Sequence, residues 1–126
     1  MNNFSYKTTA ITQSQFDFSR VKESGSFSGD AFISATISVP KNPENDKKVV
    51  CNLDLSIGSE KDVLQLRVQS RSLFEIEGDV NPETLEEDAK NQCYPVASKE
   101  LSERVARLTE LHMGKPLRIP IPENIQ

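Results

Sequence analysis

Tryptophan is absent from this 126-residue chain, histidine occurs once, cysteine twice, and aromatic residues make up 6% of the whole. Each scarcity removes a class of chemistry. A nucleophilic triad needs a base beside the nucleophile. The sole histidine, His112, falls at the end of a helical stripe, where an imidazole beside the last carbonyls has a packing or capping role. One histidine and two cysteines, Cys51 and Cys93, do not make a tetrahedral metal set, and two thiols so far apart are no disulfide framework, so they read as reduced core thiols. No metal and no cofactor is expected. The five glycines are scattered, without the G-x-G-x-x-G or Lys-Ser/Thr context of a phosphate cradle.

Basic runs are missing too. Net charge is −4 and the longest run is Lys47-Lys48, too little to neutralise a row of phosphates, so nucleic acid is not an expected partner. No apolar stretch suits a signal peptide or a membrane span, which gives the expectation of a cytoplasmic protein. The size fits one domain over residues 1–126. With 36% hydrophobic residues the core is lean, which points to self-association, part of the core being completed between copies.

What is present is alternation. Ala31, Ile33, Ala35, Ile37 and Val39 alternate with Phe32, Ser34, Thr36 and Ser38, a period of two that predicts a strand with one mainly apolar face. After the break "PKNPEND", Val49, Cys51, Leu53, Leu55 and Ile57 predict a second strand, and Val63–Glu77 a third with a charged outer face. Short connections favour antiparallel pairing with one face covered. The first twenty residues are irregular: Phe4 and Tyr6 share parity with Phe16 and Phe18 but Ile11 does not, which calls for a bulge or break near Thr9 to Thr12. "KESGSFSGD" then reads as a mobile connection around Phe27.

Past Gly78 the period changes. Asn81-Pro82-Glu83 predicts a helix start and a first helix to about Gln92. Ala97, Leu101, Val105, Leu108 and His112 predict a second helix, stopped by Gly114, with Pro95 in its first turn. Three prolines among Leu117, Ile119 and Ile121 make the tail an extended segment lying over an edge or apolar surface. The fold class is therefore α+β, a four-stranded antiparallel sheet followed by two C-terminal helices. Glu86-Glu87-Asp88 and the pair Glu75 and Glu77 are the available carboxylates, and they read as a solvated helix face and strand edge. The chain is not expected to be an enzyme.

This ground plan resembles the SecB family of export chaperones. "FEIEG" at Phe74 to Gly78 is similar to the Phe-x-Ile-x-Gly that ends that family's fourth strand, Tyr94-Pro95-Val96-Ala97 to its Phe-Pro-Tyr-Ala, and Gly114 through Pro120 to its Gly, Pro, aliphatic, Pro ending. The likeness covers about residues 4 to 122 and is greatest to short SecB-like proteins of Gram-positive bacteria. Ser98 stands where the chaperone usually has Arg, and the chain stops soon after Pro122, without the tail helix that helps engage the export motor SecA. The resemblance implies an ATP-independent holdase that binds unfolded or partly folded polypeptide through apolar surface pooled in a homodimer or homotetramer, with the Sec export machinery as a further partner. Phe27, Tyr94, Val96, Leu117 and Ile119 are the expected polypeptide-binding residues, since each lies in a segment not committed to a regular core face. The alternative is a non-catalytic adaptor of the same fold that binds one folded protein.

Overall fold

Period-two alternation over three stretches can bury one face only if strands are aligned in register, and the computed structural model, which describes residues 2–17, 31–57 and 65–114, has that arrangement. Strands β1 (Asn3–Asp17), β2 (Ala31–Ser38), β3 (Lys48–Ile57) and β4 (Gln65–Glu77) form one antiparallel sheet in the order β1-β4-β3-β2. Directly opposed residues set the inner face: Val49 against Phe74, Leu55 against Val68, Ile57 against Leu66, and on the other side of β3 Leu55 against Ile33 and Leu53 against Ala35. The irregularity in β1 resolves into two bulges. Register slips between Tyr6 and Thr8 and again between Ile11 and Gln13, so Lys7 and Thr12 are the extra residues. The first flips parity and the second restores it. Phe4, Tyr6, Thr9 and Ile11 therefore oppose Ile76, Phe74, Ser72 and Ser70 on one face despite their broken spacing.

The expectation of two helices fails at Pro95. A single helix α1, Leu85–Met113, runs through it for 29 residues. Proline removes one backbone donor and costs a helix interior about 3 kcal/mol. The burial pattern shows what offsets this: Leu85, Ala89, Cys93, Ala97, Leu101, Val105 and Thr109, every fourth residue on both sides of the proline, are all buried. Asn91, whose carbonyl would have accepted from residue 95, is exposed, so water can take the donor's place. The start moves as well. Asn81 does not cap the helix; its Oδ1 accepts from the Glu83 N–H at 3.1 Å in the preceding turn, and Thr84 is the cap residue. At the other end Gly114 adopts φ 77°, a left-handed conformation open to glycine without strain, and its N–H donates to the Glu110 carbonyl.

Helix α1 lies against all four strands and closes the core over β3 and β4. The sheet under it carries small polar residues: Ser72 is fully buried and shares a 2.8 Å hydrogen bond with Thr9, which in turn accepts from the Tyr6 hydroxyl at 2.7 Å. Ser70 is 2% exposed and its hydroxyl has no partner among the described residues. An unpaired buried hydroxyl costs about 1–3 kcal/mol. Ser70→Ala is accordingly expected to stabilise the protein by about 1 kcal/mol, read as a rise in the urea midpoint at unchanged slope; a loss of stability would mean that the hydroxyl is satisfied.

Candidate functional site

The two edges of the sheet differ. β1 is bulged twice and carries Lys7 and Asp17. β2 keeps an unbroken register with β3 from Ala31 to Ser38, and its sequence AFISATIS contains no charge, no proline and no glycine. No strand pairs with its outer side among the described residues. Soluble proteins commonly protect such an edge with lysine, proline or a bulge, and here none of these devices is present. Ile33, Ala35 and Ile37 face the helix but are only half-buried, and among the described residues no strand flanks them on the outer side. On the opposite face Phe32 is 66% exposed, the most exposed aromatic side chain among the described residues.

Beside Phe32 the open face of the sheet is polar. An open hollow of about 300 Å³ is lined by Thr12, Ser34, Thr36, Asn52, Asp54 and Gln69. Asp54 is not a free acid there. Arg67 donates to both its oxygens, at 2.9 and 3.3 Å, and Gln69 donates at 3.1 Å, and these hydrogen bonds, that of Arg67 foremost, hold the carboxyl below its usual range. The pair is solvated, so it adds little stability.

Of the five residues expected to bind polypeptide, only Tyr94 and Val96 fall among the described residues. Phe27, Leu117 and Ile119 lie outside the described residues. Tyr94 is 2% exposed and belongs to the core, whereas Val96 is 37% exposed. The continuous helix is the reason: two positions apart on a helix is about 200° around its axis, so one side chain faces in and the other out. Placing Tyr94 in an uncommitted segment was therefore incorrect. Ser98 is buried and donates to the Pro95 carbonyl at 3.0 Å. Sequence reasoning missed Phe32, although its position on the polar parity of an otherwise Ser/Thr face was the available signal.

Among the described residues no three His, Cys, Asp or Glu side chains converge as metal ligands. Burial pushes the Cys51 thiol up to about 11 and that of Cys93 up to about 12, the latter also through its proximity to Cys51, so both stay protonated and unreactive. Both are free thiols. Glu86 and Glu87 are exposed, and among the described residues no helix is long and apolar enough to cross a membrane.

No family model matches the sequence, and none of the curated proteins is similar to it. Solved structures do match. A Streptococcus agalactiae protein of unknown function is 12% identical over 96% of this chain and 99% of its own, with a TM-score of 0.52. The Mycobacterium tuberculosis SecB-like chaperone Rv1957, solved in complex with a ChAD peptide from the HigA1 antitoxin, is 18% identical over 94% of this chain and 90% of its own, with a TM-score of 0.72. With its strand order, bulged first strand and covering helix, the chain has the fold of a SecB-like chaperone.

Proposed function

We propose that this protein is a SecB-like holdase of the cytoplasm that binds non-native polypeptide through apolar surface of a homo-oligomer, with no ATP, cofactor or bond-making step. The observation that carries the reading is the uncharged edge strand β2, unpaired on its outer side among the described residues, with Phe32 exposed beside it. The complex of Rv1957 with an antitoxin peptide supports it, since a chain of the same fold there holds a polypeptide segment. Full burial of one phenylalanine contributes about 1.5–3 kcal/mol against the roughly 8 kcal/mol of micromolar holding, so several contacts must add, and pooling them across copies supplies the rest. Engagement of the Sec export machinery belongs to the same proposal.

The test is suppression of aggregation of a chemically unfolded substrate, followed by light scattering. The wild-type protein is expected to suppress it at a few-fold excess, and Phe32→Ala to need about tenfold more protein at unchanged stability. Absence of suppression by the wild type would end the reading. The burial of Tyr94, which removes one of the expected anchors, favours a second reading as a non-catalytic adaptor for one folded protein. A single stoichiometric partner in a pull-down from the native cytoplasm, with no spread of unfolded clients, would establish that one instead.

A further inference from the structure

We infer that the stretch of α1 before Pro95, residues 85–94, is a latched flap that opens about the proline while the rest of the helix and the sheet stay folded. Its hinge is a weak point of the helical ladder. Pro95 has no N–H to give the Asn91 carbonyl, and the Ser98 hydroxyl bonds back to the Pro95 carbonyl at 3.0 Å, a kind of bond that loosens and bends helices. Pro95 is the only proline inside the helix, so the missing donor singles out this turn.

The two sides of the hinge are anchored differently. Beyond it Ala97, Leu101, Val105 and Ala106 are buried, and packing holds that part of the helix to the core. Before it the buried stripe is Leu85, Ala89 and Cys93, of which two are small, with Tyr94 beside them. Among the described residues, the hydrogen bonds that tie residues 85–94 to the start of β1 all end on Asn2. Asp88 accepts from its backbone N–H at 3.0 Å and from its side-chain amide at 2.9 Å, and Gln92 donates to its carbonyl at 2.6 Å. Ties that converge on one residue are lost together, which makes the stretch a cooperative unit of local opening. Opening bares Leu85, Ala89, Cys93 and Tyr94, together with Cys51 of β3, which lies close to Cys93 and Tyr94. The apolar surface of the chain is then conditional on the latch. Its use in gripping non-native polypeptide rests on the proposed holding role, whereas the opening itself does not.

The experiment treats the whole protein with iodoacetamide in increasing urea, follows alkylation of Cys93 by peptide mapping, and reads amide hydrogen exchange in parallel. Cys93 is buried and protonated while the flap is closed, so its labelling counts open molecules. It is expected to label at least about tenfold faster than global unfolding allows, with a urea slope well below the global one, because a flap exposes only a fraction of the surface. Asn2→Ala is expected to raise the Cys93 rate at least about tenfold and to leave the amides of residues 101–109 exchanging only through global unfolding. Pro95→Ala returns the missing donor without loss of folding and is expected to lower the Cys93 rate at least about tenfold. Labelling of Cys93 only at the rate and slope of global unfolding would overturn the inference. So would loss of protection at 101–109 together with 85–94 in Asn2→Ala, since the helix would then open as one piece. An unchanged Cys93 rate in Pro95→Ala would remove the hinge and overturn it as well. None of these measurements involves a client, so failure here is distinguishable from failure of the holding role.

Discussion

Phe74→Ala is expected to cost about 3–5 kcal/mol, a large share of the roughly 5–15 kcal/mol that holds a domain folded. Phe74 is 2% exposed, stands between Val49 and Tyr6 across neighbouring strands, and meets the Tyr6 ring edge-on at 5.6 Å between centroids. Truncation loses the transfer energy of the ring, leaves a void among β-strands pinned by their own ladders, and removes an aromatic pair worth about 0.5–1.5 kcal/mol in itself. Phe32→Ala makes the same chemical change at a position 66% open to water and is expected to shift stability by less than about 0.5 kcal/mol. Urea unfolding of the two variants measures the contrast. Comparable losses would mean that Phe32 is covered in solution, and the open edge would then be occupied.

The same two phenylalanines show how far the sequence could be read. Both lie in alternating runs, and parity alone puts Phe74 with Leu66, Val68 and Ile76 on the inner face and Phe32 with Ser34 and Thr36 on the outer one. Sheet composition and facing were legible because a period of two survives any strand order. Strand order was not: that β2 lies at an edge is a non-local fact, and it is what makes Phe32 and the half-covered Ile33 and Ile37 available. The helix was misread for a related reason. Pro95 is a local signal to break, and it was outweighed by burial at every fourth residue from Leu85 to Thr109, which depends on a sheet long enough to lie under the whole run. Residues at that spacing advance about 40° around the axis per step, so the stripe winds and its two halves look like separate helices in sequence. Tyr94 was misplaced together with the break that was expected beside it.

Asn2 carries no apolar surface and sits in no recognisable motif, yet Asn2→Ala is expected to cost about 2–3 kcal/mol, because its removal strands several partners at once. The residue is fully buried between the start of β1 and the start of α1. Its side-chain amide donates to the Asp88 carboxylate at 2.9 Å, to the Asn81 carbonyl at 3.0 Å and to Thr84 Oγ1 at 3.3 Å, while its Oδ1 accepts from the Asn81 N–H at 2.8 Å. Its backbone is held as well: the N–H donates to Asp88 at 3.0 Å and the carbonyl accepts from Gln92 at 2.6 Å. Alanine keeps the two backbone bonds and loses the rest, whereas Asn3→Ala, at an exposed neighbour, serves as the control with little effect. The backbone N–H of Asn2, then the Thr84 hydroxyl and the Asn2 amide, hold the Asp88 carboxyl below its usual range. A depressed folded pKa means that the unfolded chain takes up the proton first. The contribution of Asp88 is thus fully present above the ordinary carboxylate value of about 4 and is lost as the pH falls from there through the lower folded value. Stability measured across that acid range is expected to fall less steeply in Asn2→Ala than in the wild type. Parallel slopes would show that the Asn2 side chain adds nothing to the depression of Asp88, which would then rest on the backbone N–H of residue 2 and the Thr84 hydroxyl.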